Sequence, residues 1–454
     1  MQTIITKRSS VPTIQSPFEG DLLERPESAS VLRQLVDIFS DGSVIGLNGK
    51  WGSGKTTFLT YWELYMQRLG YNVIHFNSWE NDDVDDPLLA LIAEFKKLSG
   101  NDNTRWKAVA NNLGKITLAM LPSILAALAQ HFTGLDVKDI VEKGSDEVVN
   151  IVESAIENYS SQKKTIKAFK ESLSEYVSDH AGGKPLVYVI DELDRCNPAF
   201  AVKTLERIKH LFDIENVVYI LAIDQIQLCN SIKGYYGSEH FDAVDYLRRF
   251  VQFTYDLPQS KPDRFIADVM KRLGFDDLMA NDDTKKENYS YLEMFFSQLY
   301  KGIDMSLRQM EQYLIYTRIA LANTKGLTIQ TSTIALLVYL KMFDTEFFDK
   351  YSTFQIEDDA IIEHIESHFS VTFFDTGIVP SLYCFYPAVA ELIFVRYQHE
   401  ARSERLFNKN GDLRFKVSRF NMEQFPQCFT CANERTALLP TILNRLNFVS
   451  QVSI

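Results

Sequence analysis

Gly49-Lys50-Trp51-Gly52-Ser53-Gly54-Lys55-Thr56 decides how this chain reads. The stretch satisfies every fixed position of G-x-x-x-x-G-K-[ST], the spacing of a phosphate-binding loop. A polyphosphate needs several backbone N–H groups turned toward one point. Glycine at 49, 52 and 54 allows the close approach and the left-handed conformations this requires. Lys55 supplies a point charge for the β- and γ-phosphates, and the Thr56 hydroxyl is a ligand for Mg²⁺ bridging them. The nucleotide-binding set is then Gly49, Gly52, Ser53, Gly54, Lys55, Thr56 and Thr57. Upstream, Ser43–Leu47 reads as a short buried strand. Downstream, Leu59, Trp62, Met66 and Leu69 recur at helical spacing before Gly70, a helix stop. The helix starting at the loop aims its positive end at the anion.

Composition sets the limits. The chain has 454 residues, 46% of them hydrophobic and 24% charged, as in an ordinary globular protein of two or three domains. A net charge of −13 argues against broad electrostatic capture of nucleic acid. Five scattered cysteines make no disulfide framework, which points to a reducing, cytoplasmic setting. Cys428 and Cys431 form a lone C-x-x-C pair, either thiols or half of a metal site. Met1–Ser10 has no apolar core of a signal peptide. The longest apolar run, Ile116–Ala129, contains Pro122 and falls short of the ~20 residues that cross a bilayer. It reads as a buried helix, with a membrane-surface segment as the alternative.

The elements alternate. Asn72–Asn77, Leu186–Ile190, Val217–Ile223 and Phe250–Leu257 read as further strands, and Ala199–Phe212 as a helix between two of them. Between the second and third strands, Leu88, Leu91, Ile92 and Phe95, then Val148, Ile151, Val152 and Ile156, then Phe169, Leu173 and Val177 mark helical faces. The expected architecture is a P-loop α/β core with a parallel sheet over residues 15–258, carrying a large helical insertion at about 85–180. A helical lid-like subdomain follows at 259–330, and a mainly helical C-terminal domain at 331–454.

The remaining chemistry gathers at strand ends. Val187-Tyr188-Val189-Ile190-Asp191-Glu192 delivers two carboxylates where open α/β sheets bind ligands. Asp191 is the second Mg²⁺ residue beside Thr56, and Glu192 the base for attacking water. Arg195, following Asp194, either orients these carboxylates or contacts phosphate directly. Asp224, after the strand Val217–Ile223, either positions that water or caps the next helix. Arg249 is either a surface residue or a catalytic arginine directed at a neighbouring subunit's γ-phosphate. Arg308 either reaches back to the nucleotide or makes a structural ion pair.

With these residues in view, the chain resembles the KAP family of P-loop NTPases, a branch near the AAA+ and STAND ATPases. The resemblance rests on Trp51-Gly52-Ser53-Gly54-Lys55, Phe76-Asn77-Ser78-Trp79, Asp191-Glu192-Leu193-Asp194-Arg195-Cys196, Leu221-Ala222-Ile223-Asp224 and Tyr246-Leu247. It covers roughly Asp21 to Arg308. It implies ATP binding and hydrolysis with Mg²⁺, used as a switch or motor; self-association is expected from a catalytic Arg249 supplied by a neighbouring subunit. Bacterial members are often linked to phage exclusion and mobile-element conflict. Many members carry paired transmembrane helices in the insertion, and this chain has only the short Ile116–Ala129 run, so a cytoplasmic member is expected. A protein partner is expected at the C-terminal half. The missing N-K-x-D element disfavours guanine. Two other functions compete with a regulatory ATPase: a small-molecule kinase and a non-hydrolysing, ATP-gated scaffold.

Overall fold

The apolar runs become five strands of one parallel sheet: β1 (Val44–Asn48), β2 (Val73–Asn77), β3 (Leu186–Asp191), β4 (Val217–Ile223) and β5 (Phe253–Asp256), in the order β2-β3-β4-β1-β5. They belong to a computed structural model that describes residues 17–120, 164–368, 386–397 and 438–446, apart from 19, 41, 85, 100–103, 212, 259–261, 280–282, 304 and 325–328. Two compact units divide the chain, one of residues 1–21 and 25–259, the other of 22–24 and 260–454.

Alternation along the strands builds two cores in the first unit. Ile74, Phe76, Tyr188, Ile190, Tyr219, Leu221 and Ile223 face one way. They meet α3 (Leu88–Phe95), α5 (residues 164–180), α6 (Pro198–Leu211) and α7 (Gln225–Tyr236). Ile45, Leu47, Val187, Val189, Val218, Ile220 and Ala222 face the other way, against α1 (Pro26–Ile38) and α2 (Lys55–Arg68). The sheet is therefore covered on both faces, which explains why β3 and β4 are continuous apolar runs, buried at every residue. Phe169, Leu173 and Val177 are buried on α5, as their spacing predicts. Val148, Ile151, Val152 and Ile156 lie outside the described residues. Of the run Ile116–Ala129, residues 116–120 end α4 (Thr104–Met120) and the rest lies outside the described residues. Among the described residues, no helix is long and apolar enough to cross a membrane.

One strand differs from expectation. β5 covers only Phe253–Asp256 of the predicted Phe250–Leu257. Phe250 and Val251 are buried, but their N–H groups bond back to the Leu247 carbonyl in the turn that ends α8 (Ala243–Arg248). The strand itself is a mostly exposed edge that, among the described residues, pairs with β1 alone.

The second unit is helical among its described residues. α9 (Asp263–Arg272), α10 (Phe275–Met279), α11 (Asp283–Gly302) and α12 (Leu307–Asn323) precede residue 330; α13 (Thr331–Phe343), α14 (Thr345–Ser352), α15 (Asp358–His368), α16 (Tyr386–Phe394) and α17 (Leu439–Leu446) follow it. Side chains from both sets, including Ile266, Phe296, Tyr313, Leu336, Ile365 and Leu392, share one core. The domain division expected at 330/331 therefore matches no break in packing: α13 is apolar on nearly every face and is buried by helices on either side of that point.

Candidate nucleotide-binding site

The loop after β1 turns through Gly52 (φ 77°) and Gly54 (φ 82°), both left-handed, and Gly54 caps α2. A side chain at Gly49 would bring its Cβ to 3.0 Å from Ser53 Oγ and 3.2 Å from Lys55 Cγ, so both side chains would have to shift by a few tenths of an ångström to admit it. Ser53 Oγ is buried without a hydrogen-bond partner. Lys55, only 8% exposed, donates from Nζ to the Gly49 and Lys50 carbonyls. Burial lowers its pKa, against the opposing pull of Asp194, Asp224 and Asp191. Thr56 and Thr57 lie exposed on the first turn of α2, whose positive end faces the loop.

Asp191 ends β3 and is 1% exposed. Its Oδ1 accepts from the Glu192 N–H at 2.8 Å, and its Oδ2 is buried without a hydrogen-bond partner. Burial raises its pKa, opposed by the nearby Thr56 hydroxyl and His75. A buried carboxylate oxygen without a donor, close to a threonine hydroxyl, suits a hard divalent cation. Glu192 takes a left-handed conformation (φ 60°), costly for a non-glycine residue and typical of functional sites. Its Oε1 lies 2.6 Å from Arg195, whose guanidinium rests over the Trp79 ring.

Asp224 ties this site together. Oδ2 accepts from the Trp51 N–H at 3.0 Å, and Oδ1 caps α7 by accepting from Ile226 and Gln227. The capping alternative is therefore present, and the other oxygen clamps the phosphate loop. Asp194 adds a second clamp: its Oδ2 accepts both the Trp51 indole N–H and the Asp224 N–H, the latter at 2.9 Å.

Arg249 stands apart from these residues. Arg249 caps α8 and is 63% exposed, 3.8 Å from Asp245. Gln252 N–H bonds to the Val44 carbonyl, beside the start of β1. Because β5 runs parallel to β1, Arg249 sits where strands begin. The phosphate loop sits where they end, a strand length of about 15 Å away. The chain thus enters β5 from the sheet edge opposite the phosphate loop. Arg308 belongs to the second unit, exposed on the first turn of α12 beside the capping box of Ser306 and Gln309.

The family model described as the KAP family P-loop domain matches residues 25–320. The chain belongs to the KAP family of P-loop NTPases. A curated relative, Phage T7 exclusion protein of Escherichia coli (strain K12), is 23% identical over 239 residues. That match covers 49% of this chain and 31% of the relative, so the chain spans under a third of the relative's length. Among solved structures, the ORC2 protein of Aeropyrum pernix, in ADPNP–ADP complexes, is similar over 93% of this chain and 97% of its own, with 14% identity and a TM-score of 0.32.

Sequence reasoning missed one buried anchor of this KAP domain. Arg25, 4% exposed, donates from its guanidinium to the Gly54 carbonyl at 3.0 Å and is paired with Asp21 at 3.2 Å. It precedes the first strand by nearly twenty residues, and nothing local marks it. Trp51, in a variable position of the motif, contributes through its indole N–H, which a backbone-centred reading of the loop overlooks.

Proposed function

We propose that this KAP protein binds ATP with Mg²⁺, hydrolyses it, and uses nucleotide state as a regulatory switch in phage exclusion. The observation that carries this reading is Asp191 Oδ2, a buried carboxylate oxygen without a partner, delivered beside the Thr56 hydroxyl and the Lys55 ammonium. Lys55 would exchange loop carbonyls for phosphate oxygens, and Thr56 with Asp191 would hold the cation. Mg²⁺ bound there would neutralise charge on the transferring phosphoryl group. Glu192 would accept the proton of the attacking water after turning from Arg195. The missing guanine-reading element supports adenine, and the phage-exclusion relative supports defence. The second unit is the expected partner surface.

The Glu192–Arg195 pair also favours a second reading, an ATP-gated scaffold with little turnover, because the pair occupies the candidate base. Phosphate release from the four NTPs, with and without Mg²⁺, separates the two. The ATPase reading expects Mg²⁺-dependent release from ATP, lost in Lys55→Ala and Glu192→Gln. ATP binding without release would leave only the scaffold. Failure to bind any nucleotide would overturn both. Unchanged phage plating on bacteria expressing wild-type or Lys55→Ala protein would remove the defence role.

A further inference from the structure

A second cluster of ligating side chains lies within the helical unit. Asp344 links α13 to α14, and its Oδ1 caps α14 by accepting from the Phe347 N–H at 3.3 Å. That cap turns Oδ2 toward α15. There His364 and His368, four residues apart, share one helical face. His364 Nε2 lies 2.5 Å from Asp344 Oδ2, and His368 Nδ1 lies 3.9 Å from the same oxygen. One ligand atom from each of the three residues falls within 4.8 Å of the others. Ligands about 2.0–2.2 Å from a zinc ion stand roughly 3–3.5 Å from each other, so small side-chain rotations close the set.

The surroundings fit ligation better than a lone His–Asp hydrogen bond. Such a bond accounts for His364 alone, whereas both histidines stand at the same carboxylate oxygen, His368 Nδ1 at 3.9 Å. The other nitrogen of His368, Nε2, meets the Tyr339 hydroxyl at 2.8 Å. In the tautomer that carries its proton on Nε2, this contact is the outer hydrogen bond of a metal-bound histidine and Nδ1 is the nitrogen that would ligate. The His364 ring is held flat on Phe347, with ring centres 3.8 Å apart and planes 7° apart. The side chains are 15–33% exposed, so water can complete a fourth position. Two imidazoles and one carboxylate suit a first-row transition ion, not Mg²⁺ or Ca²⁺.

We propose that Asp344, His364 and His368 form a zinc site that ties α15 to the α13–α14 turn. The site lies wholly within the helical unit and does not rest on the nucleotide reading.

Chelator-stripped full-length protein titrated calorimetrically with Zn²⁺ should bind one equivalent. His364→Ala with His368→Ala should weaken this roughly 100-fold or more, and Tyr339→Phe about tenfold. Asp344→Asn keeps the helix cap, since asparagine caps as well as aspartate. It should therefore retain wild-type far-ultraviolet dichroism while losing Zn²⁺ affinity, which separates ligation from folding. Co²⁺ substitution should give visible bands of nitrogen and oxygen donors without thiolate charge transfer. No stoichiometric Zn²⁺ binding would overturn the proposal. So would full binding by the double histidine variant, or thiolate bands abolished by Cys428→Ser with Cys431→Ser.

Discussion

Replacing Asp224 tests whether it holds the loop or acts on water. The carboxylate is 6% exposed and accepts from three backbone N–H groups, those of Trp51, Ile226 and Gln227. Asp224→Ala removes a helix cap, worth about 1 kcal/mol. It also removes a charged acceptor for the Trp51 N–H, worth roughly 1.5–3 kcal/mol. The expected loss is about 2–4 kcal/mol, a fall in Tm on the order of 5–15 °C for a unit of this size. If about 1.4 kcal/mol of that clamp keeps the loop in its binding shape, nucleotide affinity falls about tenfold. Asp224→Asn should lose roughly half as much, because one carbonyl oxygen can serve the cap or Trp51 but not both. Thermal unfolding without nucleotide and a fluorescent-nucleotide titration measure the two effects separately. Unchanged Tm and affinity in Asp224→Ala, with hydrolysis alone lost, would refute the clamp and assign Asp224 to the attacking water.

Gly49→Ala should weaken nucleotide binding at least tenfold in the same titration, because the new Cβ meets Ser53 and Lys55 at 3.0–3.2 Å. Mg²⁺ affinity should fall with acidification earlier than for an ordinary aspartate. Asp191's raised pKa means that it takes up a proton at higher pH, and the neutral acid is a poor cation ligand; a calorimetric pH series checks this. Cys196, pushed up to about 12 by burial and then by Asp82, Asp194 and Glu192, should resist iodoacetamide at pH 8 in the native state and react on unfolding, as read by peptide mapping. If Arg249 acts on a neighbour's nucleotide, Arg249→Ala should keep ATP affinity and lose turnover, and mixing with Lys55→Ala protein should restore part of it. Specific activity constant across a hundredfold dilution, with no rescue on mixing, would leave Arg249 a surface residue.

The central strands were legible because burial on both faces leaves an uninterrupted apolar run: Val217–Ile223 matches β4 residue for residue. β5 was overread because Phe250 and Val251 are as apolar as strand residues, while their burial comes from a turn. The loop, Asp191 and Glu192 were visible through residue type and spacing. What Asp224 does with each oxygen was not, because capping and clamping require only an acceptor and leave no pattern. Arg25 was hidden for a related reason: its partner, the Gly54 carbonyl, is backbone, and the chain separation of 29 residues carries no periodicity. Arg249's sheet edge became readable only with strand direction, since nearness in sequence to β5 says nothing about which end it approaches.

The end of β4 has a dynamic consequence. Gly49 N–H bonds to the Ile223 carbonyl, Trp51 N–H to Asp224, and Asp224 N–H to Asp194. These three amides join the loop and the acidic turn to a strand paired on both sides, by β1 and by β3. None can be released by fraying of an edge. Their deuterium uptake should follow global opening of the sheet, whereas β5 amides should exchange through local excursions. The two halves of the site would then come apart only when the domain itself melts, leaving a ligand no floppy loop to order on arrival.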